Sequence, residues 1–320
     1  MPANDAYPAC FRGVTVPMVT PYLPDDISRI DHAVLEQFTD YLCGSGVSAL
    51  FPASGMGQWM HLTLAEKKAM LDTVIRASAG RKPVFAGIGS SVGYEETYEM
   101  MAYGEKAGAV ASFSVTPPSW ERSEATGLFV DQEEVFRYYQ SVDERAQLPF
   151  AVYDFFAAIS IKTAERLSHL PNFKGMKYRT TDALAMLRML KAVDGRVAPS
   201  TGVEHVTLPA LACGYVGVVG GGPNVIADLV VDLVEAFHRG DLNRARELQH
   251  IVCEANDRFE DLGGGGFGSK LVLSEIIGVP IAVSQRRNFT EAEPLPDIDP
   301  QVRQRALDYY RSLDLRAYNP

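Results

Sequence analysis

The sequence predicts an α/β fold, a (β/α)8 TIM barrel with a C-terminal helical extension. Three observations lead there. Short apolar runs alternate with stretches of helical period eight times in succession. After the eighth run the pattern changes to helices alone. The chain of 320 residues, 47% hydrophobic, suits one large core with an appendage better than two independent domains. The expected division is a barrel over residues 1–223, and the last barrel helix with the extension over 224–320. Parallel strands need crossovers, and right-handed crossovers close the sheet, which places a closed barrel ahead of an open doubly wound sheet.

Residues 13–21 read as a first strand stopped by Pro21, and Asp31 opens an apolar-periodic stretch through Leu35, Phe38, Tyr41 and Leu42. The second unit is the apolar run 47–52, a glycine-rich loop, and a helix towards Ala77 whose start, Thr63 with Glu66, has capping-box spacing. Strand 83–88 and helix 94–107 form the third unit. The fourth is strand 110–115, a long loop and helix 132–146. The fifth strand ends at Tyr153 and the sixth at Lys177, followed by helices 163–170 and 182–193. Runs 196–199 and 214–219 flank a helix through His205, Leu208 and Leu211. Helices are then expected over 224–238, 242–260, 270–277 and 300–312. Gly263 to Gly266 read as a flexible connector, because glycine loses the most backbone entropy on ordering.

A net charge of −10 and a pI near 5.2 leave no basic face for phosphate contacts, so nucleic acid is not an expected partner. No apolar run reaches the ~20 residues that span a bilayer, and residues 1–5 lack signal-peptide character. A cytoplasmic protein with no membrane partner is expected. Cys10, Cys43, Cys213 and Cys253 are far apart and read as buried or partly buried thiols. The six histidines show no paired metal-ligand spacing, so no metal and no other cofactor is expected.

Lys177 ends an apolar run and is followed at once by the polar residues 178–182. The carboxyl ends of the strands floor a barrel's active site, and an amine held there among apolar neighbours loses its charge readily and becomes a nucleophile. A surface lysine at a strand end is the competing reading. Tyr153, at the end of the preceding run, favours the first, since adjacent strands would set phenol beside amine. The loop from Pro52 to Trp59 is rich in small residues, which let backbone N–H groups point into the space of Lys177 as a nest for an anion, with a carboxylate the natural guess. A plain tight turn with positive φ at Gly55 or Gly57 is the alternative there. Trp59, Met60 and His61 are possible pocket residues.

With those pieces in place, the chain resembles the dihydrodipicolinate synthase and N-acetylneuraminate lyase superfamily of pyruvate-dependent class I aldolases. The resemblance rests on 17–21, the loop 54–58, Val115-Thr116-Pro117, Tyr153, Gly175-Met176-Lys177, and the eighth-strand segment containing Val219 and Pro223-Asn224-Val225. It implies that Lys177 forms an imine with a 2-oxo acid, that Tyr153 shuttles protons, that Ser54, Gly55, Met56 and Val219 contact substrate, and that the chain forms a homo-oligomer, a tetramer or dimer. Lys177 would also lower the phenol's pKa. Several departures accompany it. Gly55 and Met56 stand where the family loop has two threonines, the synthase's loop tyrosine falls at about Ser119 beside Trp120, and its arginine falls near Ala158.

Lysine-pathway synthase activity is therefore not expected. The expected function is a Schiff-base-forming lyase, aldolase or dehydratase, acting on a 2-oxo acid such as pyruvate or its aldol adducts. Met56, Trp59, Phe155 and Phe156 tilt its partner half towards an apolar aldehyde. Arg179 offers a cation nearby, with an exposed helix-start arginine as the plainer reading. The alternative function is a catalytically silent carboxylate-binding barrel, a sensor or structural subunit.

Overall fold

In the computed structural model, which describes residues 6–89, 93–115, 131–154 and 159–319, eight parallel strands form a ring. They are β1 (Gly13–Pro17), β4 (Ala49–Phe51), β5 (Phe85–Gly87), β6 (Ala111–Val115), β7 (Phe150–Asp154), β8 (Phe173–Tyr178), β9 (Ala198–Thr201) and β10 (Gly217–Val219). The order β4-β1-β10-β9-β8-β7-β6-β5 is closed by a parallel bridge between Leu50 and Val84. The predicted barrel is thus observed. A short antiparallel hairpin, β2 (Tyr22–Leu23) with β3 (Asp26–Ile30), was not anticipated and precedes the first helix.

Helices α1 (His32–Cys43), α2 (Leu64–Ser78), α3 (Tyr94–Ala107), α4 (Gln132–Arg145), α5 (Ile161–Leu167), α6 (Ala183–Val193), α7 (Thr207–Cys213) and α8 (Ala227–His238) follow the barrel strands in turn. Their starts are set by local chemistry: the side chains of Asp31, Asp131, Ser160 and Asp182 each accept from a backbone N–H of the first turn. Thr63 and Glu66 make the expected reciprocal capping box.

Because side chains alternate across a strand, the ring has an inner and an outer layer. Phe150 and Val152 of β7 point outward to the helices, whereas Ala151 and Tyr153 point inward. The inner layer is filled low in the barrel by Phe51, Phe85 and Phe113, with Phe51 and Phe113 stacked at 4.7 Å between centroids. Phe11 caps it from the amino end, against Phe85 at 5.3 Å, so the interior is a packed core whose opening lies at the other end.

Beyond the barrel come α9 (Leu242–Glu260), α10 (Gly264–Val272), which continues as a π-helical turn over Leu273–Ile277, and α11 (Pro300–Arg311). The glycine run is not a connector. Gly263 and Gly264 both sit at φ +87°, a region glycine alone enters cheaply, and Gly264 to Gly266 form the first turn of α10. A Cβ on Gly266 would lie 2.4 Å from Oε1 of Gln285, so a side chain there would have to move the Gln285 amide. The segment after α10 is fastened to the loop after β4. The Gln58 amide accepts from the Arg286 N–H at 3.0 Å and donates to its carbonyl at 2.8 Å. The buried Arg286 guanidinium bonds to the carbonyls of Ile27, Ser28 and His61 and to the Glu66 carboxylate.

Candidate active site

Strands β7 and β8 pair in a register that sets Tyr153 opposite Lys177, both on the inward side and both at the carboxyl end of the ring. The amine lies 3.7 Å from the centroid of the phenol ring. Lys177 is 4% exposed and Tyr153 5%. Burial pushes the lysine down to about 7, with Glu204 opposing and Arg179 reinforcing the fall. The same burial holds the phenol well above its ordinary value, while Arg179 pulls it back and Glu204 raises it further. The sequence-based expectation that Lys177 would lower the phenol's pKa is therefore corrected. An amine close to neutrality supplies little positive charge, and desolvation dominates. Tyr153 is thereby held in its neutral form.

Above this pair opens a cavity of about 420 Å³ whose walls include Gly55, Met56, Tyr153, Lys177, Arg179 and Glu204. His205, Asn256, Glu260 and Ser269 add further polar wall. Gly55 and Met56 are thus brought to the lysine as predicted. Ser54 stands one layer behind: its hydroxyl donates to the Met18 carbonyl at 3.3 Å and accepts from the Gly57 N–H at 3.2 Å. Val219 lies lower, among inner-layer residues beside Thr15 and Ser200, and is not part of the cavity wall. The loop's left-handed residues are Ala53 and Gln58 rather than Gly55 or Gly57. Gly57 is needed instead for proximity, since a Cβ there would lie 2.8 Å from the Met18 carbonyl oxygen.

Trp59 is turned into the barrel core, with the Lys67 amine 5.6 Å from its ring, and is not a pocket residue. Met60 packs against that same core, and the His61 carbonyl accepts from Arg286; neither residue lines the cavity. Arg179 is exposed, as the plainer reading had it, yet it also lines the cavity. The sequence positions at Ser119, Trp120, Phe155, Phe156 and Ala158 lie outside the described residues.

Comparison with known proteins adds the decisive observation: a sequence profile of the dihydrodipicolinate synthetase family matches residues 10–291. The chain belongs to that family. Members are class I, pyruvate-dependent lyases, and this chain is an enzyme of that class. It is 30% identical over 247 residues to a 4-hydroxy-tetrahydrodipicolinate synthase of Methanopyrus kandleri, covering 75% of this chain and 78% of that one. Among solved structures, dihydrodipicolinate synthase of Aquifex aeolicus superposes with a TM-score of 0.82 at 21% identity, over 97% of this chain and all of the other. A prophage protein of the same family from E. coli K12, solved in complex with pyruvate, gives a TM-score of 0.82 at 21% identity, over 96% and 100% of the two chains. At that identity the structural likeness speaks for the barrel.

Sequence reasoning missed Glu204, which is 7% exposed and accepts a hydrogen bond from the Gly222 N–H at 2.6 Å. It sits in a 3₁₀ turn, Glu204–Val206, after β9, where a charged residue reads as loop surface. The signal available in the sequence was the run Gly220-Gly221-Gly222, whose missing side chains make room for Glu204 and Met56. His205 was also missed as a wall residue, its Nε2 2.8 Å from the Asp257 carboxylate at the cavity rim.

Proposed function

We propose that this family member is a Schiff-base lyase that makes or breaks a carbon–carbon or carbon–oxygen bond next to the imine of a 2-oxo acid such as pyruvate. The observation that carries the reading is a buried amine, brought to about 7 by desolvation, in register with a buried phenol at the mouth of the barrel. Lys177 is the nucleophile, since an amine that is substantially neutral at physiological pH attacks a ketone directly. Tyr153 donates a proton to the carbinolamine oxygen as water leaves. The backbone N–H groups of Gly55 and Met56 hold the carboxylate.

Lysine-pathway synthase activity is not the proposed reaction, although the curated relatives carry that name. Gly55 and Met56 bring no hydroxyl into the cavity from the loop, so the relay of that synthase has no counterpart there. The partner half of the substrate is proposed to be polar, reversing the tilt towards an apolar aldehyde. Arg179, Glu204, His205, Asn256 and Ser269 offer hydrogen bonds on the cavity wall, and Trp59 is withdrawn into the core. We also propose a homo-oligomer, supported by Leu184 and Leu187, half exposed and three residues apart on α6; sedimentation at micromolar concentration checks it, and a monomer there would contradict it.

The test is release of pyruvate from a panel of 4-hydroxy-2-oxo acids, followed by coupled reduction to lactate, with an amino-acid semialdehyde plus pyruvate as the comparison pair. Turnover of a hydroxylated 2-oxo acid that Lys177→Ala abolishes is the expected result. Efficient condensation with the semialdehyde and none of the other activities would contradict the proposal.

A further inference from the structure

Glu204 is held with unusual care for a residue in a loop. Its Oε1 takes the Gly222 N–H, and a Cβ on Gly220 would fall 2.2 Å from its Cδ, so the turn after β10 is shaped around the carboxylate. Oε2 has no hydrogen-bond partner among the described residues, and the side chain lines the cavity that contains Lys177 and Tyr153. Its charge acts on both of those groups. The other charged or titratable groups on this wall are Arg179 from the segment after β8, His205 with its partner Asp257, and Glu260 at the end of α9.

The chemistry next to an imine needs a base. An iminium makes the neighbouring carbon acidic, and something must take that proton and return it. Tyr153 is badly suited to accept it, because burial makes its phenolate costly. Gly55 and Met56 bring no side-chain hydroxyl to relay it. A carboxylate is ionised at neutral pH where a phenol is not.

We propose that Glu204 is a catalytic acid–base residue, moving the proton on and off the carbon adjacent to the imine at Lys177. This rests on the Schiff-base reading above. Loss of water joins C2 of pyruvate to Nζ of Lys177 as a protonated imine. The C3–H bond then breaks, its proton passes to Oε2 of Glu204, and its electron pair becomes the C2=C3 bond while the C=N pair withdraws onto nitrogen. Return of the proton from Glu204 to C3 reverses each change, so no oxidant or further reactant is required.

The step can be followed without knowing the partner aldehyde. In D₂O the enzyme is expected to wash deuterium into the methyl group of pyruvate, read by proton NMR, while borohydride trapping measures imine on Lys177 in the same preparation. Glu204→Gln keeps the size of the side chain and an oxygen for Gly222 but cannot take the proton. The ratio of exchange to trapping is expected to fall about a hundredfold, and Glu204→Asp, which keeps an acid on a shorter arm, is expected to recover part of it. A ratio within threefold of wild type in Glu204→Gln overturns the inference. So does loss of trapping and exchange together with their proportional recovery in Glu204→Asp, which would make the carboxylate a support for the lysine. Wild-type protein that neither traps nor exchanges pyruvate would instead overturn the Schiff-base reading itself.

Discussion

Lys177 lies with its amine 3.7 Å from the centre of the Tyr153 ring, each delivered by the same register position of neighbouring strands. The amine is buried, and that desolvation is what lowers its pKa to about 7. In the proposed reaction, this one arrangement provides both the nucleophile and the adjacent proton donor.

The pH dependence of imine formation follows from that value. Below pH 7 the amine is protonated, and the rate of trapping with pyruvate is expected to fall about tenfold per pH unit. Above about pH 8 it should level off, well below the pH at which an ordinary lysine would begin to react. A rate still climbing through pH 9–10 would show an unperturbed amine.

Removing the amine is expected to stabilise the fold while ending activity. Lys177→Met replaces a buried, titratable group with an apolar side chain of similar length, which should raise unfolding stability by about 1–2 kcal/mol. The sign can be checked by pH. The folded pKa lies below the unfolded one, so the unfolded chain binds the extra proton and the native protein gains stability as pH rises from about 7 into the ordinary lysine range. The advantage of Lys177→Met is accordingly greatest below pH 7 and shrinks above it, as urea titrations at two pH values would report.

Gly202 sets the position of the lysine. A Cβ there would lie 2.3 Å from Cε of Lys177 and 2.7 Å from Cγ of Arg179. Gly202→Ala is expected to displace the amine and lower kcat/KM by about a hundredfold, with a stability change of about 1–3 kcal/mol from overpacking. Trapping and denaturation measured side by side separate the two effects.

Arg286 shows what the C-terminal extension contributes. Its guanidinium is 2% exposed and paired with Glu66 while bonding three carbonyls. Arg286→Met leaves the Glu66 carboxylate and those carbonyls without their partner, and a loss of about 3–5 kcal/mol is expected, measured by urea unfolding. A loss under 1 kcal/mol would mean the segment is not fastened through this residue.

The barrel and the Lys177–Tyr153 pair were legible in the sequence because strand periodicity is local, and each residue closes its own apolar run. Glu204 was not, since its burial depends on glycines 16 to 18 positions later that fold back over it. The helical start within the glycine run 263–266 was hidden too: helix propensity argues against a helix, and the neighbours a Cβ would meet, Pro296 at Gly263 and Gln285 at Gly266, are distant in the chain. Ser54 and Val219 were read as substrate contacts, yet Ser54 stands one layer behind the cavity wall and Val219 lower in the barrel, a distinction decided by side-chain direction rather than strand position.

Reductive trapping tests the central claim most directly. The 320-residue protein is incubated with pyruvate and borohydride, digested, and its peptides mapped by mass. The account predicts one reduced pyruvyl adduct, on Lys177, and none on Lys270, the other buried amine lowered to about 7, which lies outside the cavity and donates to the Ser284 carbonyl. An unmodified Lys177, or equal labelling of both lysines, would contradict it.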